Sequence, residues 1–140
     1  MNIAIVMVCF FLIQFKMSNL QLSLTKKWFE LTKSGVKTED YRELNNYWLK
    51  RISNVNLRMP ISLTEQYSIL EQNKDILFDG KSVFKKFDIN IMTFGYPKST
   101  DSERILKLEH KGIEIREGNP EWGAIPGRKY FVITHGSFLK

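Results

Sequence analysis

Short segments in which apolar and polar residues alternate limit the fold of this chain most strongly. Residues 20–24 (LQLSL) show this alternation first, and it returns at residues 87–92 and 106–115. A period of two is typical of half-buried β-strands. Residues 129–134 (KYFVIT) are predicted to form the last strand. The sequence therefore predicts a fold made mainly of short strands.

A change of phase at Gly112 adds to this prediction. Leu106 and Leu108 share one parity along the chain, whereas Ile113 and Ile115 share the other. A glycine at such a point indicates a β-bulge, which bends strands in small barrels. Together with two or three short helices, the pattern predicts an α+β fold built on a small, compact β-barrel.

The helices are predicted from apolar spacing and capping residues. Trp28 and Leu31 follow Leu24 at helical spacing, and Gly35 is a natural stop. A second short helical turn is predicted at residues 47–52, and a third helix at about 63–73, where Ser62 and Glu65 form a capping box.

Length and charge narrow the class of protein. The chain has 140 residues, of which 43% are hydrophobic, and this is enough apolar material for the core of one domain. The net charge is +6, which favours polyanionic partners such as RNA or DNA. Cys9 is the one cysteine, so we expect a reducing, cytoplasmic setting and no cysteine-based metal site.

The first sixteen residues are predicted to lie outside the domain, which would span residues 17–140. Residues 3–13 are almost entirely apolar, yet they are too few for a comfortable membrane span. Our first interpretation is that Met17 is the true start. A signal or anchor and a genuine hydrophobic strand are the alternatives. No integral membrane role is expected.

The densest polar cluster follows Gly35 and contains Lys37, Asp40, Tyr41 and Arg42. Lysine supplies a compact positive charge, arginine a planar fork that fits phosphate, and a carboxylate can orient either or act as a general base. In a straight strand Lys37 would point away from the other two charges, so the three converge only if the chain bends after Gly35. A solvated, salt-bridged edge strand is the alternative interpretation.

These residues also carry a resemblance to a known family. Gly35-x-Lys37-x-x-Asp40-x-Arg42 resembles the G-x-K-x-x-E-x-R motif of the ASCH domain family, with Asp40 in place of the usual glutamate. Residues 111–133 (KGIEIREGNPEWGAIPGRKYFVI) are similar to the closing segment of a bacterial and phage subgroup. The resemblance covers roughly residues 20–52 and 87–136, and residues 53–86 look like an insertion.

The resemblance implies a PUA-like β-barrel whose cleft is lined by the motif and binds RNA or nucleosides. Some members of the family are amidohydrolases acting on 4-acetylcytidine, and some are reported to cleave RNA. In the amidohydrolases the motif lysine works with a threonine, at the position of Asp40, and with a glutamate from a later strand. Glu109 and Glu114 are the two candidates for that glutamate.

Several aromatic residues and further basic residues also have predicted roles. Tyr41 and Tyr96 are predicted to reach the cleft and stack on a base. Trp28 and Trp48 are predicted to belong to the core. Arg51, together with neighbouring lysines, is either a solvated helix face or part of a phosphate-tracking rim.

Three hypotheses follow for the function. The first is an RNA- or nucleoside-binding module that uses Gly35, Lys37, Asp40, Arg42 and the two tyrosines. The second is a metal-independent hydrolase of a modified nucleoside or RNA, with Lys37 and Asp40 as the acid/base pair. The third is a protein-interaction domain with a vestigial cleft. No cofactor and no metal are expected in any of the three.

Overall fold

The computed structural model of the protein describes residues 17–54, 68, 77–78 and 81–139. The apolar segment 1–16 lies outside the described residues, as does the predicted helix at 63–73 apart from Ser68. The greater part of the expected insertion at 53–86 lies outside them too.

Two helices and seven strands make up the described part of the chain. In chain order they are β1 (Asn19–Leu24), α1 (Lys26–Lys33), β2 (Glu39–Arg42), α2 (Asn46–Ile52), β3 (Leu77–Phe78), β4 (Lys81–Ser82), β5 (Ile89–Phe94), β6 (Ile105–Glu117) and β7 (Lys129–Phe138). Two short 3-10 turns lie at Ser102–Arg104 and Pro120–Trp122. The predicted strands at 20–24, 106–115 and 129–134 and the predicted helical turn at 47–52 are confirmed. The strand predicted at 87–92 lies at Ile89–Phe94, and its buried face carries Asn90 and Met92 rather than Ile89 and Ile91.

Five of the strands form one curled sheet in the order β1-β5-β6-β7-β2, while β3 and β4 pair separately. β1 runs parallel to β5, and the other three pairings of the large sheet are antiparallel. The fold is therefore a mixed α+β fold whose sheet is a half-barrel. Its two edge strands, β1 and β2, precede and follow helix α1 in the sequence.

The predicted bulge at Gly112 is confirmed. The register between β6 and β7 shifts on both sides of His110, between Leu108 and Gly112. Gly112 has a φ angle of 137°, a backbone conformation that residues other than glycine rarely adopt. The extra residue of the bulge shifts the alternation of β6 by one position. Leu108 before the bulge and Ile115 after it therefore both face the interior of the half-barrel.

The core lies on the inner face of the curled sheet. Leu20, Leu22, Met92, Phe131 and Ile133 are almost entirely buried there. Burying each side chain of this size contributes about 1.5–3 kcal/mol. Helices α1 and α2 complete the core through Phe29, Leu49 and Ile52, and Trp28 and Trp48 pack against it while partly buried.

Among the described residues, the structure has no helix that is both long enough and apolar enough to cross a membrane.

Candidate functional site

The turn after helix α1 brings the motif residues together. Helix α1 ends at Lys33, and Gly35 adopts a φ angle of 83°, which lies in the left-handed region. The chain then turns back on the helix, and the amide of Lys37 donates to the carbonyl of Leu31 at 3.1 Å. This is the bend that the three motif charges require.

Lys37, Asp40 and Arg42 form one connected ion cluster. Nζ of Lys37 lies 3.4 Å from Oδ1 of Asp40, and Nε of Arg42 lies 2.6 Å from Oδ2 of the same carboxylate. Lys37 and Asp40 are only 3% and 4% exposed. One carboxylate thus compensates two cations at a position where uncompensated charge is very costly.

The surroundings of Lys37 disfavour its charged form. Nζ also donates to the carbonyl of Glu39 and lies 5.9 Å and 5.5 Å from the ring centroids of Trp28 and Tyr41. Burial lowers the pKa of Lys37 below its ordinary value, and the carboxylate of Asp40 partly opposes this. A lysine in such a position is a candidate for proton transfer.

Arg42 joins this buried cluster to an open cleft. Its Nη2 donates to the carbonyl of Ser23 at 2.9 Å, on the outer edge of β1. Arg51, from helix α2, donates in the same way to the carbonyl of Gln21 at 2.7 Å. The two arginines therefore lie between the edge strands of the half-barrel and donate to carbonyl groups of the edge strand β1.

Both guanidinium groups also contact one indole ring. The central carbon of Arg42 lies 4.8 Å from the ring centroid of Trp48, and that of Arg51 lies 5.1 Å from it. Nη1 of Arg51 donates to the hydroxyl of Tyr47 at 3.0 Å, and the rings of Tyr47 and Trp48 meet edge to face at 5.1 Å. Arg42 of β2 and the residues Tyr47, Trp48 and Arg51 of helix α2 thus form a block in which cations and aromatic rings alternate.

The cleft formed here has a volume of about 290 Å³. It is lined by Gln21, Ser23, Arg42, Tyr47, Trp48, Arg51, Thr93 and Tyr96. Tyr96 is 93% exposed and Tyr47 is 63% exposed. Two aromatic rings are therefore available at the mouth of a cleft that contains two arginines.

Some of the predicted site residues line this cleft, and others lie behind it or on the opposite face of β2. Arg42 and Tyr96 line the cleft, whereas Lys37 and Asp40 lie buried behind Arg42. Gly35 provides the turn. Tyr41 lies on the opposite face of β2, where its ring packs 5.8 Å from that of Tyr130.

Tyr41 is fixed by hydrogen bonds on that opposite face. Its hydroxyl donates to Oε2 of Glu39 at 2.7 Å and accepts from the amide of Asn119 at 2.9 Å. Burial raises the pKa of Tyr41 to about 12. A Cβ added at Gly118 would lie within 2.7 Å of the Tyr41 ring, so the loop after β6 packs directly on this tyrosine.

The two candidate carboxylates of β6 also lie away from the cleft. Glu109 is paired with Lys111 at 3.1 Å on the surface, and Glu114 lies 2.6 Å from Nε of Arg116. Neither residue lines the cleft that contains Arg42. The structure brings a different pair of residues, Asn90 and His135, toward the motif.

Asn90 and His135 belong to a buried polar chain on the inner face of the sheet. Nδ2 of Asn90 lies 2.7 Å from Nδ1 of His135, and Oδ1 of Asn90 lies 2.7 Å from Nδ1 of His110. The backbone amide of His135 donates to the carbonyl of Thr38 at 3.0 Å, so the imidazole lies beside the motif.

Several residues of the site were missed or placed differently from sequence alone. Trp48 was assigned to the core, and it packs against the core and also lines the cleft. Arg51 was left open between a solvated helix face and a rim, and it lies in the cleft. The i, i+4 spacing of Tyr47 and Arg51 in helix α2 was the available signal. Nothing in the sequence close to Asn90 or His135 indicates that these two residues lie beside the motif.

Comparisons of the chain with protein-family models, with curated proteins and with solved structures find no match in any of the three. The resemblance to ASCH domains therefore depends on the sequence motif. Within the described residues, no group of three histidine, cysteine, aspartate or glutamate side chains is arranged to hold a metal ion.

Proposed function

We propose that the cleft between the edge strands β1 and β2 binds single-stranded RNA or a nucleoside unit of it. The observation that carries this proposal is the pairing of two guanidinium groups, of Arg42 and Arg51, with the indole of Trp48 at 4.8 Å and 5.1 Å. Cations and aromatic rings interleaved in one groove are typical of sites for single-stranded nucleic acid.

The charges of the cleft fit a phosphate group. Arginine presents a planar fork that matches phosphate oxygens, and its charge persists at all physiological pH values. In the free protein, Asp40 and the carbonyl of Ser23 hold Arg42 in place. The cost of ordering this side chain is therefore met before a ligand arrives.

The aromatic residues of the cleft fit a base. Tyr47 and Tyr96 are exposed at its mouth, and base stacking on an aromatic ring contributes about 1–3 kcal/mol. The volume of about 290 Å³ lies at the lower end of small-molecule sites, so the cleft suits one nucleoside unit. Sugar and phosphate groups on either side would then run over the basic surface of helix α2.

The resemblance to ASCH domains supports the same ligand class. We propose that the half-barrel is a PUA-like barrel and that Gly35, Lys37, Asp40 and Arg42 are its motif residues. In this proposal Tyr41 has a structural role, because its ring and hydroxyl are engaged on the opposite face of β2.

Binding is tested by fluorescence anisotropy with a labelled ten-nucleotide single-stranded RNA at several salt concentrations. We expect Arg51→Ala to weaken binding and to reduce the slope of log affinity against log salt by about 1. Arg128→Ala is the matched control, since Arg128 lies 5.6 Å over the Tyr130 ring and outside the cleft. An equal loss of RNA affinity in Arg51→Ala and Arg128→Ala, or no RNA binding by the wild-type protein, would contradict the proposal.

A hydrolase is the second candidate function, and one observation favours it. Lys37 is almost fully buried beside Asp40, and its pKa is lowered by burial, as expected for a residue that transfers protons. Turnover of 4-acetylcytidine or of the RNA probe, lost in Lys37→Met while the protein stays folded, would establish this function. An unchanged substrate after prolonged incubation would exclude it for these two substrates.

A further inference from the structure

The inner face of the half-barrel holds polar side chains where apolar ones are the rule. Asn90 is completely buried, and His135 is 6% exposed. Burying polar groups costs free energy unless each finds a hydrogen-bond partner. The contacts of Asn90 and His135 therefore show which polar atoms of these two side chains have a hydrogen-bond partner and which do not.

The amide orientation of Asn90 is fixed by its neighbours. Nδ2 lies 3.4 Å from the carbonyl oxygen of Thr134, which only accepts. The donating NH₂ group therefore faces Thr134 and His135, and the carbonyl oxygen Oδ1 faces His110. Turning the amide over would set two acceptor oxygens against each other.

This orientation determines the tautomers of both histidines. Because Oδ1 of Asn90 only accepts, His110 carries its proton on Nδ1. Because Nδ2 of Asn90 only donates, Nδ1 of His135 is an acceptor without a proton. Neutral His135 therefore carries its proton on Nε2, on the side of the ring away from Asn90.

The Nε2 atom of His135 is buried and has no hydrogen-bond partner among the described residues. Asp40 lies opposite Ile133 in the β2–β7 pairing, so His135, two residues further along the same face, is its diagonal neighbour. A buried N–H donor next to the motif carboxylate is thus left without an acceptor, which native proteins rarely tolerate.

We propose that His135 is a further ligand-binding residue of this site and that its Nε2–H donates to a carbonyl oxygen of a nucleobase. The proposal depends on the nucleoside-binding function proposed above. A neutral carbonyl fits better than a phosphate, because an anion would lose much more hydration at a position that is 94% buried. Asn90 and His110 act as positioning residues, since they hold His135 in the donating tautomer.

Arg42 lines the cleft and contacts Asp40, and Asp40 neighbours His135. His135 therefore lies behind Arg42 as seen from the cleft. In this proposal the base edge approaches Nε2 past Arg42, whose guanidinium stays on Asp40 and Ser23 and faces the phosphate of the same nucleotide.

The first test is NMR of ¹⁵N-histidine-labelled wild-type protein at pH 7. In the free protein we expect His135 to be protonated on Nε2 and His110 on Nδ1. Saturation with uridine 5′-monophosphate, which has two base carbonyls, is expected to move the Nε2–H signal of His135 downfield. Adenosine 5′-monophosphate, whose base has no carbonyl, is expected to leave that signal in place.

The second test compares affinities of folded variants for the same two nucleotides. We expect His135→Phe to weaken uridine 5′-monophosphate binding by about 3–10-fold and to leave adenosine 5′-monophosphate unchanged. His135→Gln, whose amide nitrogen can donate, is expected to recover part of the loss.

The possible failures are distinguishable. Binding of uridine 5′-monophosphate without a change at Nε2, or a His135 proton found on Nδ1, would overturn the role of His135 and leave the proposed function intact. Absence of binding for both nucleotides and for RNA would overturn the proposed function and this role together.

Discussion

Nε of Arg42 donates to Oδ2 of Asp40 across 2.6 Å, and this contact connects the open cleft to the buried charges of the motif. Oδ1 of the same carboxylate faces Lys37, which is 3% exposed. The motif therefore has two layers. Arg42 faces solvent in the outer layer, and Lys37 and Asp40 occupy an inner layer that bulk water does not reach.

Removing the charge of Asp40 is expected to destabilise the fold. Asp40→Asn leaves Lys37 buried without its counter-ion, and the loss of one member of a buried ion pair typically costs about 3–5 kcal/mol. Urea unfolding followed by circular dichroism measures this change. Glu109→Gln is the matched control, because the Glu109–Lys111 pair is exposed to solvent and should contribute little to stability. A loss below about 1 kcal/mol in Asp40→Asn would show that the buried charges relax without their partner.

Tyr96 is expected to stack on a base of bound RNA. It is 93% exposed, so its removal should hardly affect stability, while Tyr96→Ala should weaken RNA binding by about 1–3 kcal/mol. Tyr96→Phe keeps the ring and should bind RNA nearly as well as the wild-type protein. Anisotropy titrations of the three proteins measure this. Equal weakening in both variants would show that the hydroxyl, rather than the ring, contacts the RNA.

Stability is expected to fall in mild acid because of His135. Burial lowers the pKa of His135 to about 4, whereas the unfolded chain has an ordinary histidine near 6.5. The unfolded state therefore binds a proton first as the pH falls, and the stabilisation present above pH 6.5 is lost between pH 6.5 and 4. The shift corresponds to a loss on the order of 3 kcal/mol.

Urea unfolding at pH 7, 5.5 and 4 checks this pH dependence. The charged and titratable groups that act on His135 are Asp40, Lys37, His110 and Glu39. His135→Phe removes the titration of His135 and should flatten the pH dependence, while the other groups remain. If the stability of His135→Phe falls as steeply with pH as that of the wild-type protein, the acid sensitivity comes from those other groups.

Tyr41 is expected to contribute to stability through its hydroxyl. Tyr41→Phe leaves the amide of Asn119 and one contact of Glu39 unsatisfied, at a cost of about 1–3 kcal/mol. RNA affinity of the folded variant should stay at the wild-type value, since Tyr41 does not line the cleft. Thermal unfolding and anisotropy together measure the two effects. A weaker RNA affinity at unchanged stability would return Tyr41 to the ligand site.

The sequence by itself determined the local elements of this protein. Alternation of apolar residues predicted the strands that carry the core, and the phase change at Gly112 predicted the bulge. Gly35 predicted the end of helix α1, and the φ angle of 83° found there favours glycine. These features depend on residues that are close in the sequence, and local sterics and side-chain period suffice to predict them. Whether the chain bends at Gly35 far enough to bring Lys37 back to Asp40 was left open by the sequence.

Only the tertiary structure decided which side chains meet across the sheet. The alternation of side chains along a strand shows which of its residues share a face. It does not show which strand is the neighbour in the sheet or in what register the two strands pair. Asn90 reaches His135 because β5, β6 and β7 are neighbours in this register. Arg51 reaches Gln21 because the sheet curls until helix α2 covers the free edge of β1. Both contacts join residues 30 or more positions apart, and they form only when the whole half-barrel has closed around its core.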